Sequence, residues 1–308
     1  MIALSTLWNA MRHDDGKTLV SEAKRLGFRA LELNYRITEP MLADIATLVS
    51  QGEISVSSLH NFVPVPPLRD KNQGSGDLFL LSSIDEGERQ EAIIQTKRTI
   101  EHASRLGARA VVLHLGRTEE DVTGQITVER QLKSLIESGG TAAELDRLRS
   151  EMVHRREAVK APPFEAAFRS LDELNEAAVR KGIHLGIENR AHYYEIPSFE
   201  EIGIVLDRFP SGNVGYWHDV GHADIFERMG FVSQREYLDS YGSKLVGIHL
   251  HDCRANHDHL APGAGRVQFE TISHAIDQAA LKVLEVNSRV SANAIRRGIA
   301  YLKERGID

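Results

Sequence analysis

The amino-acid sequence predicts an α/β protein built as one (β/α)8 barrel. Short β-branched or apolar runs alternate with longer segments of helical periodicity, which is the pattern of βα units around a parallel sheet. The length of 308 residues is ordinary for one such barrel, and no GxGxxG motif follows the first strand to favour an open, doubly wound sheet. We therefore expect a single TIM-barrel domain over residues 1–308.

Eight segments are predicted to be strands, because each is short, apolar and followed by a helical pattern. They are residues 2–8, 30–34, 54–60, 110–115, 183–188, 214–219, 245–251 and 283–287. The segments between them, such as residues 87–106 and 198–209, carry apolar residues at spacings of three and four and are closed by Gly107 and Pro210. These segments are the predicted outer helices.

Two segments are longer than a minimal barrel requires. Residues 61–85, after the third strand, are rich in proline and glycine, and such long loops in compact domains are usually either functional or disordered, so this loop is a candidate lid. Residues 117–161 are rich in Glu, Arg, Leu and Ala and predict a helical insertion between the fourth strand and its helix. The insertion would either cover the barrel mouth or form a subunit contact in a homo-oligomer.

Composition narrows the expected partners. The net charge of −7 and the pI near 6.1 argue against affinity that rests on neutralising many phosphates, so a nucleic acid is not the expected partner. The N-terminus has no basic segment followed by a long apolar stretch, and no window reaches the roughly 18 apolar residues of a membrane span. Cys253 is the single cysteine, which excludes an intramolecular disulfide. A cytoplasmic location is the default expectation.

Residues that can bind a metal occur at the C-terminal ends of six of the eight predicted strands, where the active sites of barrels lie. A lone histidine in a strand is usually a hydrogen-bonded structural residue, but such residues would scatter along the strands instead of sharing one level. A buried carboxylate would also be costly without a cation or a donor. The pattern therefore predicts a metal site. The residues are His60, His114, Glu188, Asp219, His249 and Glu285.

The alternation of side chains along a strand refines this set. If Asp219 points into the barrel, His218 faces the helices and is predicted to be structural. His249 and His251 share one face, and His249 is expected to reach the barrel axis while His251 lies on the rim and assists. His222 follows Asp219 by one turn and is a further candidate ligand.

Short motifs with metal-binding or acidic residues follow the strands in a fixed order. They are Leu-Glu-Leu-Asn in the second strand, His60, Leu-His114-Leu-Gly, Ile-Glu188-Asn-Arg, His-Asp219-Val-Gly-His222, Ile-His249-Leu-His-Asp, His257-Asp-His259 with Gly-Ala-Gly, and Leu-Glu285-Val. In this order they resemble the xylose-isomerase-like superfamily of TIM barrels, the sugar phosphate isomerase/epimerase and AP endonuclease type 2 family. It contains sugar isomerases, ketose 3-epimerases and AP endonucleases of the endonuclease four type. The resemblance spans the chain except residues 117–161.

The epimerase branch of this superfamily implies one divalent ion, Zn²⁺ or Mn²⁺. The resemblance places that ion on Glu188, Asp219, His249 and Glu285. It also implies that the two glutamates move protons and that His222 lies near the substrate.

The endonuclease branch implies up to three zinc ions. Beyond the four residues of the epimerase branch, their ligands would be His60, His114, His222, His257 and His259. That branch has an aspartate at the position of His257, so the sequence departs from it at the third ion.

The first functional hypothesis is a metal-dependent isomerase or epimerase that acts on a sugar or a related polyhydroxy carbonyl compound. Protons would move through a metal-stabilised enediolate, with Glu188 and Glu285 as the proton-transfer groups. Arg190, Asn34 and Tyr193 are expected to contact this small, carbohydrate-like substrate near the mouth.

Two other hypotheses remain open at the level of the sequence. One is an endonuclease-four-like multinuclear zinc phosphoesterase, which the 14 histidines favour and the acidic charge balance disfavours. The other is a barrel that binds a metal or ligand without catalysis.

Overall fold

Eight parallel strands close into a barrel in the computed structural model, which describes residues 1–66, 69–210, 213–255 and 257–308. Each barrel strand pairs with the next one along the chain, and the last pairs with the first, with Ile2 beside Lys282. The predicted TIM-barrel fold is confirmed. The strands are β1 (Ile2–Ser5), β2 (Ala30–Leu33), β3 (Ser55–His60), β4 (Ala110–Leu113), β5 (His184–Glu188), β6 (Val214–Asp219), β7 (Leu245–Leu250) and β8 (Leu281–Leu284).

Every predicted strand segment overlaps one barrel strand, but several predicted ends differ from the observed ones. The first strand ends at Ser5 instead of residue 8, because the Ser5 side chain accepts a hydrogen bond from the Leu7 N–H and caps a 3-10 helix, Thr6–Trp8. The last strand begins two residues earlier than predicted, at Leu281. The apolar character of a segment does not reveal a local hydrogen bond such as the one between Leu7 and Ser5, so the strand ends were predicted less well than the strands themselves.

Eleven α-helices surround the barrel within the described residues. They are α1 (Gly16–Arg25), α2 (Glu39–Ser50), α3 (Glu86–Arg105), α4 (Val122–Ser138), α5 (Ala142–Glu157), α6 (Ala161–Lys181), α7 (Phe199–Arg208), α8 (Val220–Met229), α9 (Gln234–Tyr241), α10 (Phe269–Gln278) and α11 (Ala292–Lys303). None of these helices combines the length and the apolar character that crossing a bilayer requires.

Two short antiparallel strand pairs lie beyond the barrel strands. Gly116–Arg117 pairs with Glu195–Ile196 and joins the segments that follow β4 and β5. Asp252–Arg254 pairs with His257–Leu260 and folds the chain back after β7. Both pairs order backbone just above the C-terminal ends of the barrel strands, where the candidate site residues lie.

Trp217, on β6, fills the interior of the barrel and is fully buried. The neighbouring strands carry glycines where the indole lies: a Cβ at Gly186 would be 2.8 Å from the indole Cε3, and one at Gly247 would overlap the indole. The His249 ring lies 5.0 Å from that of Trp217. The indole therefore forms a rigid floor beneath the C-terminal end of the barrel.

The segment predicted to be a helical insertion folds as α4 and α5, between β4 and α6. Glu129 of α4 accepts hydrogen bonds from His192 Nδ1 at 2.6 Å and from the Tyr193 N–H at 3.0 Å. Arg156 of α5 is buried and donates to both carboxylate oxygens of Glu201, at 2.8 and 2.6 Å, and to the Glu195 carbonyl at 3.0 Å. Both helices thus hold the segment that follows β5 at the barrel mouth.

We expect Arg156→Met to lower the free energy of unfolding by about 3–5 kcal/mol, because Glu201 would keep a buried charge without its partner. Urea denaturation followed by circular dichroism measures the change. The matched control is Arg235→Met, since Arg235 forms an exposed pair with Asp239 in α9 and its loss should cost less than about 1 kcal/mol. A loss for Arg156→Met as small as that of the control would contradict the role assigned to the buried pair.

Candidate metal and active site

Four side chains from successive strands converge at the C-terminal end of the barrel. Glu188 and Asp219 are the last residues of β5 and β6, His249 is the penultimate residue of β7, and Glu285 directly follows β8. Each offers one ligand atom, these atoms all lie within 4.8 Å of one another, and all four residues are buried. We name this set the core group; it unites the four positions that the sequence predicted as the centre of the metal site.

The imidazole of His249 is surrounded by carboxylates. Its Nδ1 lies 2.8 Å from Glu188 Oε1, 3.2 Å from Glu285 Oε2 and 3.5 Å from Asp219 Oδ2. Burial by itself would lower the pKa of His249, but the charges of Glu285 and Glu32, with hydrogen bonds to Asp219 and Glu188, raise this pKa well above its ordinary value. The ring thus acts as the cation that these acids require.

The core group fits a divalent cation. Its donor set of three carboxylates and one imidazole suits zinc and manganese. Donor atoms at about 2.0–2.2 Å from one ion lie at most about 4.4 Å apart, so the spacing of 4.8 Å or less requires only small side-chain shifts. Ionised carboxylates buried this closely are costly unless a cation neutralises them. The donor chemistry and the burial therefore both match a metal site.

Sequence reasoning missed Glu32, which is fully buried on β2. Its carboxylate accepts a hydrogen bond from His249 Nε2 at 3.0 Å and another from Ser58 Oγ at 2.8 Å. Both ring nitrogens of His249 face carboxylates, so the ring donates from both without a metal. A cation bound in the core group would replace the Nδ1 proton, while Glu32 would keep the proton on Nε2. The available signal was a glutamate inside the apolar run of β2.

The core-group glutamates are ionised at neutral pH. Burial would raise the pKa of Glu188, but hydrogen bonds from His114, His249 and His60 hold it well below its ordinary value. Burial would also raise the pKa of Glu285, yet the charge of His249 and a hydrogen bond from His259 lower this pKa to about 2. Both side chains are therefore available as negatively charged metal ligands.

A second group consists of His60, His114 and Glu188, whose ligand atoms also lie within 4.8 Å of one another. His114 Nε2 lies 2.9 Å and His60 Nε2 lies 3.6 Å from Glu188 Oε2. Both histidines were predicted as ligands from their positions at the ends of β3 and β4. The second group shares Glu188 with the core group.

A third group consists of Asp219, His222, His251 and His259. His251 Nε2 lies 2.8 Å from Asp219 Oδ1, and the His251 and His259 rings stack with centroids 4.3 Å apart. Asp219 also caps α8, because its Oδ1 accepts a hydrogen bond from the His222 N–H at 2.7 Å. The third group shares Asp219 with the core group.

The membership of the third group differs from the sequence expectation. His251, expected on the rim, is fully buried because the chain folds back after β7 and the His259 N–H donates to His251 Nδ1 at 2.9 Å. His257 is exposed on the returning strand and belongs to none of the three groups found among the described residues.

The three residues predicted to contact substrate have different surroundings. Arg190 is buried, and its Nη2 lies 2.6 Å from Glu195 Oε1 and 3.1 Å from Asp77 Oδ2. Asn34, just beyond β2, is buried, and its Nδ2 has no hydrogen-bond partner among the described residues. The Tyr193 ring stacks on Phe231, with centroids 4.4 Å apart, and the guanidinium of Arg156 in the insertion lies 5.9 Å from its centroid.

The loop predicted as a lid, residues 61–85, lies over the second group in its described parts, 61–66 and 69–85. Asp77 Oδ2 accepts a hydrogen bond from His114 Nδ1 at 3.0 Å. A Cβ at Gly76 would lie 2.7 Å from His114 Nδ1 and 3.1 Å from His60 Cε1, so the backbone of residue 76 rests against both rings. The loop contributes to the burial of the second group; that it opens and closes stays a prediction.

A family model described as a xylose isomerase-like TIM barrel matches residues 20–154 and 152–305 of the chain. The chain is also 25% identical over 248 residues to an uncharacterized protein, y4fM, of Sinorhizobium fredii (strain NBRC 101917 / NGR234). That match covers 80% of this chain and 66% of the relative, so the chain spans just under two thirds of the relative's length.

Two solved structures have similar folds. One is the apo form of 3-keto-D-glucoside 4-epimerase, YcjR, of E. coli, with a TM-score of 0.69, 16% identity and coverage of 98% of both chains. The other is the IOLI protein with a binding zinc atom, with a TM-score of 0.66, 17% identity and coverage of 100% of this chain and 96% of that one. At these identities the similarity shows a shared fold.

His218 lies on the opposite side of β6 from the core group, as strand alternation predicted. Its Nδ1 lies 2.6 Å from the Tyr216 hydroxyl, and its Nε2 lies 3.4 Å from Gln234 Oε1. Burial lowers the pKa of His218 to about 4. The unfolded chain, with an ordinary histidine pKa near 6.5, therefore binds a proton that the folded chain rejects between these values.

We expect His218 to contribute stability that is fully present above pH 6.5 and is lost as the pH falls towards 4. Between pH 7 and pH 5 the loss amounts to about 2 kcal/mol. Urea denaturation at both values should show that His218→Asn removes this part of the pH dependence, whereas the same change at the exposed His184 does not. Equal pH dependence in wild type and His218→Asn would contradict the assignment.

Proposed function

The chain belongs to the family of xylose isomerase-like TIM barrels, and on that premise we propose that it is a divalent-metal-dependent isomerase or epimerase. Its substrate in this proposal is a sugar or a related polyhydroxy carbonyl compound. The observation that carries the proposal is the buried core group of three carboxylates and one imidazole at the barrel mouth. Two proteins of similar fold support the proposal: one is a 3-keto-D-glucoside 4-epimerase, and the other, the IOLI protein, binds a zinc atom.

Glu188, Asp219, His249 and Glu285 would hold the ion, which we propose to be zinc or manganese. When bound, such an ion supplies a Lewis acid that polarises a carbonyl and its neighbouring hydroxyl. Glu32 keeps the proton of His249 on Nε2, so that Nδ1 faces the ion site. The buried surroundings exclude bulk water and strengthen these electrostatic interactions.

Glu188 and Glu285 are the proposed proton carriers. Both carboxylates lie beside His249 Nδ1, at 2.8 and 3.2 Å, and both are ionised at neutral pH. One ionised carboxylate can remove the proton next to a substrate carbonyl. The other must first take up a proton from water, and it can then deliver that proton from a different direction, while the first carboxylate releases its proton to water. Return to the opposite face of the carbon inverts its configuration, which is epimerisation; return to the adjacent atom gives isomerisation.

The charge around the site favours a neutral substrate if one ion is present. Arg190 is already engaged by carboxylates, since its guanidinium lies 2.6 Å from Glu195, 3.1 Å from Asp77 and 3.5 Å from Glu188. A single divalent ion would leave an excess of negative charge around the core group, which repels phosphate or carboxylate substituents. An unphosphorylated keto sugar fits these electrostatics best.

A multinuclear zinc phosphoesterase of the endonuclease four type is the second candidate. The observation in its favour is that the second and third groups share Glu188 and Asp219 with the core group, so that up to three neighbouring ions could be held. Three divalent ions would neutralise the acidic surroundings and attract a phosphodiester. The number of bound ions therefore discriminates between the two candidates.

We expect the protein purified without chelator to contain one zinc or manganese ion per chain and to epimerise or isomerise unphosphorylated ketohexoses. Elemental analysis combined with a chromatographic assay of a ketohexose panel tests both parts. Three zinc ions together with cleavage of a phosphodiester probe would favour the second candidate. Absence of bound metal, with no effect of EDTA on stability, would contradict both.

Glu188→Gln should lower turnover by at least about 10²–10⁴-fold, because the amide cannot take up a proton and is a poorer ligand. Exchange of the substrate proton next to the carbonyl with deuterated water, followed by NMR, measures the loss directly. Circular dichroism checks that the fold is retained. The matched control is Glu200→Gln, which changes an exposed acid on α7 and should leave exchange within about twofold of wild type. Exchange that survives in Glu188→Gln would exclude Glu188 as a proton carrier.

A further inference from the structure

Asp77 connects residues that are far apart in the sequence. It lies in the 61–85 loop, and its Oδ2 accepts hydrogen bonds from His114 Nδ1 at 3.0 Å and from Arg190 Nη2 at 3.1 Å. His114 follows β4 and Arg190 follows β5, so one loop carboxylate holds the C-terminal ends of two neighbouring barrel strands. None of the metal-site predictions made from the sequence involves Asp77.

The adjacent Gly76 fixes how closely the loop approaches the second group. A side chain at this position would meet both imidazoles, with its Cβ 2.7 Å from His114 Nδ1 and 3.1 Å from His60 Cε1. The loop backbone is therefore in contact with two members of the second group, and the Asp77 carboxylate reaches the third member through His114. Any outward movement of residues 76–77 breaks these contacts together.

The hydrogen bond to Asp77 determines which nitrogen of His114 faces the second group. A carboxylate only accepts, so His114 Nδ1 must carry the proton that it donates. His114 Nε2 lies 2.9 Å from Glu188 Oε2 and donates to it without a metal. A cation bound in the second group would replace the Nε2 proton, while the bond to Asp77 would keep the proton on Nδ1, so that the Nε2 lone pair would face the cation. A carboxylate behind a histidine, on the side away from the ligand atom, is the usual arrangement for orienting a metal-binding imidazole.

We propose that Asp77 is a positioning residue that orients His114 for a divalent cation in the second group and at the same time latches residues 69–85 of the loop over that group. Cation occupancy of the second group and closure of the loop are then one coupled equilibrium, in which each favours the other to the same degree. The proposal rests on the proposed function only in requiring that this family member binds divalent cations.

The loop has a second anchor that does not touch the metal site and therefore provides a control. Lys71 Nζ donates to the His13 carbonyl and to Asp14 Oδ1, each at 2.8 Å, and the Asp14 side chain is fully exposed. Asp14→Asn removes the negative charge that pairs with Lys71 at this second anchor while leaving Asp77 and His114 unchanged. This variant therefore distinguishes a loop that is less firmly held in general from a loop that has lost the contact between Asp77 and His114.

The test is trypsin cleavage at Arg69 and Lys71 of the full chain, stripped of metal and then titrated with Zn²⁺. We expect saturating Zn²⁺ to slow cleavage of the wild type by at least about tenfold. In Asp77→Asn this protection should fall to less than about twofold, and zinc affinity at the weakened position should drop by about 10–100-fold. Asp14→Asn should be cut faster with and without Zn²⁺ but should keep the wild-type ratio.

Cobalt substitution adds a readout that a merely structural role would not change, because Co²⁺ absorption depends on the number of nitrogen ligands. We expect Asp77→Asn to lose the spectral component of the second group while retaining that of the core group. Gly76→Ala, which pushes the loop away from both rings, should reproduce these changes and replaces Asp77→Asn if the latter does not fold. Wild-type protection and wild-type cobalt spectra in both variants would overturn the proposal.

The two proposals fail in distinguishable ways. If the wild type binds no divalent cation, the proposed function is contradicted. If the wild type binds a cation in the core group, but Zn²⁺ leaves the trypsin cleavage rate unchanged, only the coupling through Asp77 is contradicted.

Discussion

The concentration of buried carboxylates around His249 is the constraint on which the rest of the structure depends. Glu32, Glu188 and Glu285 all lie within 3.2 Å of its imidazole nitrogens, in a place that water does not reach. Such a group is stable only with compensating positive charge, which a protonated imidazole or a bound cation supplies. The barrel brings these side chains together because its strands all end at one level, and the surrounding segments then shield and orient them.

The fold and the core group could be predicted because they depend on local sequence. Strand segments are recognisable by their apolar character, and alternation along one strand assigns Asp219 to the interior and His218 to the helices. The position of His251 depends instead on how the chain turns back after β7, which brings the His259 N–H against it. Asp77 reaches His114 across 37 residues of chain by a path that no local pattern encodes. Tertiary contacts of this kind limit prediction from one sequence.

Shared ligands make the three groups electrostatically interdependent. Glu188 belongs to the core and second groups, and Asp219 belongs to the core and third groups. A carboxylate that bridges two positions cannot satisfy one without changing the charge felt at the other. Under the proposed function, the same scaffold would hold one ion or several, depending on how the histidines outside the core group are oriented. Residues 76–77 and the strand pair after β7 contact those histidines.

The indole of Trp217 occupies space that two glycines on the neighbouring strands leave free. Neither Gly186 nor Gly247 can acquire a side chain while the indole stays, and a smaller residue at 217 would leave a cavity directly beneath His249. Residues 186, 217 and 247 are therefore sterically coupled, so that a substitution at one of them requires a compensating substitution at the others. For protein engineering, this coupling means that the site is better enlarged through the segments that follow the barrel strands than by changing the residues around the Trp217 indole.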